Sequence, residues 1–114
     1  MIAWFKRLLG LDAPSIVQLD PKEAQARVKN GAIILDVRSP FERKAQFIPG
    51  SKAMPLNELI TKWESLPKDS EIICQCASGG RSQQASAFLA GKGFEVFNLR
   101  GGIAAWKASG LPTK

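Results

Sequence analysis

The chain has 114 residues, 45% hydrophobic and 23% charged, which fits one globular domain whose folding buries roughly 65% of its surface. Two cysteines and no histidine exclude a disulfide framework, the usual tetrahedral zinc site within one chain, and any catalytic pair or triad that uses histidine as its base. The net charge of +6 favours anionic partners, but the basic residues are scattered and form no block, so a solvated basic surface is expected rather than a nucleic-acid interface.

Residues 1–14 read as an N-terminal segment. Its opening, MIAWFKRLLGL, sets charges inside a short apolar stretch. No run approaches the roughly 20 residues of a membrane span, and no clear signal-peptide core or cleavage site follows. A cytoplasmic protein is expected, with this segment packing on the domain or fraying. The alternative is a basic amphipathic turn over residues 1–11, with Ile2, Phe5 and Leu9 on one side, touching a membrane or a partner.

Residues 15–113 read as one domain. SIVQL is a short strand. DPKEAQARVKNG is a helix with Asp20 as N-cap, Pro21 in its first position and Gly31 as terminator. AIILDV is a strand buried on both faces. RSPFERKAQFIPGSKA is a connection with a helical turn around Glu42, and KAMPL a short strand. LNELITKWESL has helical spacing, with Leu56, Leu59, Ile60, Trp63 and Leu66 near one stripe. EIICQC is a second buried strand. RSQQASAFLAGKG is a helix with Ala85, Phe88 and Leu89 inward, followed by the strand EVFNL and the short helix GGIAAWKASG.

Strands alternating with helices predict an α/β domain with a mainly parallel sheet and helices on both faces. Ligands in such folds sit beyond the carboxyl ends of the strands. Cys76 lies at such an end, and four small residues, Ala77, Ser78, Gly79 and Gly80, separate it from Arg81. Small residues let successive N–H groups turn inward as a nest backed by a helix N-terminus. A thiolate there is favoured by the N–H groups, the helix dipole and Arg81. A free cysteine with a pKa of about 8.5 is only a few per cent thiolate at pH 7. Lowering it to about 6.5 makes about three-quarters thiolate without a histidine base. Cys74 is expected to face away from Cys76 and to be core packing; a resolving thiol is the alternative.

CASGGRS resembles the active-site loop of single-domain rhodanese-like sulfurtransferases. LDVRSPFE, FIPGSKAMPL and NLRGGIAAW resemble three further motifs of that family, in the same order, over most of the chain. The resemblance implies an α/β fold around a five-stranded parallel sheet. It also implies that Cys76 takes a sulfane sulfur from a small anionic, thiosulfate-like donor as a persulfide. The acceptor is a thiol, cyanide or a protein cysteine, and neither cofactor nor metal is needed.

By the same resemblance Cys76 is the nucleophile and residues 77–81 are the sulfur cradle. Asp36, Arg38 and Ser82 support it: Asp36 helps to fix the loop and Arg38 pairs with Glu42. An ion pair that only shapes a connection is an equal reading for Asp36 and Arg38. Gly101, Gly102 and Trp106 look structural. One departure is Gln46–Phe47, where the family usually has Gly-His; Phe47 either packs there or offers an apolar face to a protein donor.

Three other functions compete. A Cys-dependent phosphatase or arsenate reductase of the same fold carries one more residue between cysteine and arginine, and this loop has no acidic residue for a leaving group. A non-catalytic binding module typically lacks the cysteine. A persulfide carrier fed by another protein is mechanistically close to the first reading.

Overall fold

The computed structural model describes residues 15–114; the expected amphipathic turn at residues 1–11 lies outside them. Five strands form a single sheet in the order β1-β5-β4-β2-β3, every neighbouring pair parallel. They are β1 (Val17–Leu19), β2 (Ile33–Asp36), β3 (Lys52–Ala53), β4 (Ile72–Gln75) and β5 (Val96–Leu99). β4 and β5 are buried along their whole length, which is why they are mainly apolar rather than alternating, with Gln75 and Asn98 as their buried polar residues. The edge strands β1 and β3 are shorter, three and two residues, and a short edge offers little to a foreign strand.

The helices are α1 (Pro21–Lys29), α2 (Pro40–Ala45), α3 (Leu56–Lys62), α4 (Gly80–Gly91) and α5 (Gly102–Ala108). Two cores flank the sheet, as expected of helices on both faces. One gathers Leu35, Ile72 and Cys74 from the strands with Leu59 of α3 and Ala85 and Leu89 of α4. The other gathers Ile34, Ile73, Phe97 and Leu99 with Ala24 of α1 and Ile103 and Trp106 of α5. Period-2 alternation along each strand divides the residues between them.

Local signals explain the helix starts. Asp20 and Ser39 each begin a capping box: the side-chain oxygen accepts the backbone N–H of Glu23 or Glu42, whose carboxylate returns to the cap's own N–H. Ser39-Pro40-Phe41-Glu42 therefore starts a six-residue helix where only a turn was expected. Ile60 leaves the expected apolar stripe and stands 65% exposed. After Lys62 the chain tightens into a 3-10 turn, Trp63–Ser65. The phase then keeps Leu59, Trp63 and Leu66 against the core without Ile60.

Candidate active site

β4 ends at Gln75, and the next residue, Cys76, stands at the carboxyl edge of the sheet between two inner strands. Residues 77–79 curl back and α4 begins at Gly80. Gly79 makes the turn with φ +116°, a conformation that side chains disfavour. This aims its N–H at the sulfur: Gly79 donates to Cys76 Sγ at 3.1 Å, and the N–H and O–H of Ser82 approach it at 3.4 Å. The Ser82 hydroxyl also lies 3.2 Å from the Gly79 carbonyl. Its single hydrogen has two acceptors, and negative charge on sulfur decides the competition in favour of Sγ.

Burial works to raise the Cys76 pKa. It is outweighed by the Ser82 hydroxyl, then by the N–H groups of Ser82, Gly79 and Ser78, and the thiol lies below its ordinary 9.0. The expected electrostatic device is therefore present, in the form of hydrogen bonds to the charged state. Arg81 departs from expectation. It occupies the first turn of α4, but both its terminal nitrogens go to the Glu42 carboxylate, at 2.6 and 2.8 Å. The shortest hydrogen bonds to Cys76 come from Gly79 and Ser82, and Arg81 acts on it only through space.

Arg38 does not pair with Glu42 as expected. Its guanidinium clasps Asp36 in two bonds of 3.0 and 2.9 Å and reaches the Gln46 carbonyl at 2.7 Å. Glu42 is drawn the other way by the Ser39 cap and by Arg81, which hold its carboxyl down to about 2; the Arg81 hydrogen bond is the largest cause. Arg43 adds a second cation to Asp36 at 3.1 Å and anchors Ser51. Asp36 thus joins β2 to the connection that carries Glu42.

Cys74 does not face away from Cys76. Residues two apart in a strand share a face, and both thiols belong to one core cluster. Cys74 is fully buried, and burial pushes its thiol up to about 12, so it is inert as a nucleophile in its place. The expectation of core packing stands; the reason given for it does not.

Gly102 and Glu42 are the positions that sequence reasoning undervalued. A Cβ on Gly102 would overlap the Cys76 carbonyl oxygen and lie 2.8 Å from that of Ala77. The N–H of Ile103 then closes on the Cys76 carbonyl at 2.9 Å. Trp106 is 4% exposed and anchors α5 in the core, its indole N–H donating to the Pro112 carbonyl at 2.8 Å. The signal for Glu42 was its spacing from Ser39. At Gln46–Phe47 the connection is ordered by other means. The Phe47 ring lies 4.6 Å beneath the Arg43 guanidinium, and the Phe47 and Lys114 backbones exchange N–H···O bonds at 3.1 and 2.9 Å.

A thiol that accepts hydrogen bonds from Gly79 and Ser82, at the carboxyl edge of a parallel sheet and the start of a helix, is the arrangement of a cysteine-centred α/β domain. No cluster of residues able to hold a metal ion occurs among the described residues. The family model of the rhodanese-like domain matches residues 20–109, and the chain belongs to that family. It is 40% identical over 81 residues to a sulfurtransferase of Allochromatium vinosum, covering 70% of this chain and 76% of the relative. It is 36% identical to the thiosulfate sulfurtransferase GlpE of Ectopseudomonas mendocina over 93 residues, 81% and 85% of the two chains. The crystal structure of a rhodanese-related protein from Thermoplasma volcanium superposes with a TM-score of 0.82 at 33% identity, covering 86% of this chain and 97% of that one. Fold and relatives together place the protein among the sulfurtransferases.

Proposed function

We propose that the protein moves a sulfane sulfur from a small anionic, thiosulfate-like donor to a thiophilic acceptor through a persulfide on Cys76. The observation that carries this reading is the convergence of the Gly79 and Ser82 donors on Sγ. The Cys76 thiolate attacks the outer sulfur of the donor. A sulfur–sulfur bond forms to Cys76, the donor's own sulfur–sulfur bond breaks, and sulfite leaves with the electron pair. Attack by a thiolate or cyanide on the terminal sulfur then returns Cys76 as thiolate. Residues 77–81 and Ser82 form the cradle, while Asp36 and Arg38 brace the neighbouring connection. The protein acts in the cytoplasm on this reading; among the described residues no helix is long and apolar enough to cross a membrane.

The relative named a thiosulfate sulfurtransferase supports the donor class. Phosphatase or arsenate chemistry is less well served, since only four residues separate Cys76 from Arg81 and none of them is an acid for a leaving group. A carrier fed by another protein uses the same persulfide and differs only in the donor.

The test is intact-protein mass after incubation with thiosulfate, with peptide mapping. One sulfur on Cys76, released by cyanide and absent in Cys76→Ser, is the expected result, with Cys74→Ser still loading. No adduct on a folded, reduced protein would refute the small-anion donor.

A further inference from the structure

The arginine that closes the Cys76 loop is already occupied. Arg81 lines a cavity of about 540 Å³ with Val37, Ser39, Leu56, Ile60 and Phe88, and it is the only charged residue among those that line it. Its fork is filled by the Glu42 carboxylate. That carboxylate cannot swing aside freely, because its Oε1 also accepts the Ser39 N–H and O–H at 3.1 and 3.0 Å. The cap of α2 therefore holds a permanent anion where an anionic donor would make its strongest contact. The groove that Arg81 lines is left mainly apolar and without net charge.

We propose that Glu42 is a specificity residue of the Cys76 site: by closing the Arg81 fork it sets how tightly a small anionic sulfur donor is held. The inference rests on the sulfur-transfer reading and deepens it by naming the residue that grades donor charge. Bidentate pairing is the geometry in which arginine recognises oxyanions, so an internal carboxylate in that fork is a competitor for the same contacts.

Glu42→Gln removes the charge but retains the acceptor and the volume that the capping box needs. Two readouts are compared with wild type. The first is the KM for thiosulfate, expected to fall roughly two- to fivefold, the size of a half-exposed ion pair, with the change in KM rather than in kcat. The second is the ratio of Cys76 alkylation rates by iodoacetate and iodoacetamide, which differ in charge but hardly in size. Access to the buried thiol cancels in that ratio, so it reports local charge alone and needs no sulfur transfer. It should rise by a similar factor in Glu42→Gln and fall below wild type in Arg81→Gln, which leaves the carboxylate unpaired. The Arg81→Gln arm also decides the matter if Glu42→Gln does not fold.

An unchanged ratio in both variants would overturn the assignment even if thiosulfate loads Cys76. A changed ratio with no sulfur adduct in any variant would uphold the electrostatic role of Glu42 and refute the donor chemistry instead.

Discussion

Gly102 lies so close to Cys76 that a methyl group on its α-carbon would overlap the Cys76 carbonyl oxygen. The contact lets the first turn of α5 hold the peptide behind the nucleophile, through Ile103 N–H at 2.9 Å and Ala104 N–H at 3.3 Å. Gly102 has φ +59°, which an alanine adopts at a cost of about 1 kcal/mol. The overlap adds an overpacking cost of about 1–3 kcal/mol. Gly102→Ala should therefore lower stability by ~2–4 kcal/mol in urea unfolding and lower turnover in what remains folded. A variant as active and stable as wild type would mean that the loop is positioned from elsewhere.

Ser82 gives Cys76 a hydroxyl and an N–H, and only the hydroxyl is removable. That hydroxyl favours the charged sulfur, so Ser82→Ala raises the thiol pKa towards its ordinary value. Alkylation and sulfur loading at pH 6.5 should slow by about three- to tenfold, and the gap should close as pH approaches 9.0. A rate–pH profile of each protein measures this; a constant offset at every pH would assign Ser82 to substrate contact rather than to ionisation.

Cys74 works in the opposite direction. Its thiol is pushed up from 9.0 to about 12 by burial, so the folded state keeps a proton that the unfolded chain surrenders. The stability this represents is complete below pH 9.0 and is lost as pH rises from there through about 12, by up to about 4 kcal/mol. Cys74→Ala should cost ~1–2 kcal/mol at pH 7 through the space it leaves. It should also flatten the decline of unfolding free energy between pH 9 and 11, and parallel curves for the two proteins would contradict the burial argument.

Asp36 receives two guanidinium groups while its own side chain is fully buried, and that of Arg38 is 5% exposed. Removing the charge strands the buried Arg38 and the half-buried Arg43, a loss of about 3–5 kcal/mol. Asp36→Asn should accordingly melt well below wild type. If the variant folds normally and loses only KM for the donor, Asp36 serves substrate and not structure.

The parts of the site that follow from local pattern could be read in the sequence. The apolar runs gave β2 and β4, the small residues after Cys76 gave the loop, and the following helix gave its electrostatic backing. Side-chain partners were less legible, because they are chosen across the fold. Arg81 and Glu42 are 39 positions apart, and nothing local says that the Ser39 cap will turn Glu42 towards α4 and leave Asp36 to Arg38. The overlap that forbids a side chain at Gly102 depends on how α5 is laid over the β4 edge. The shared face of Cys74 and Cys76 was readable from strand periodicity alone, and only misapplication of that rule separated them.

The strand order also carries a consequence for how the protein comes into being. Among the described residues β1 pairs only with β5, so the first of these strands to be made must wait for the last before it has a neighbour. The Cys76 carbonyl likewise waits for Ile103. A chain leaving the ribosome brings out its cysteine loop before residues 101–104 emerge to brace it. Bracing of Cys76 is therefore one of the last events of folding, and a chain cut short before α5 would hold that cysteine without the support that sets its geometry.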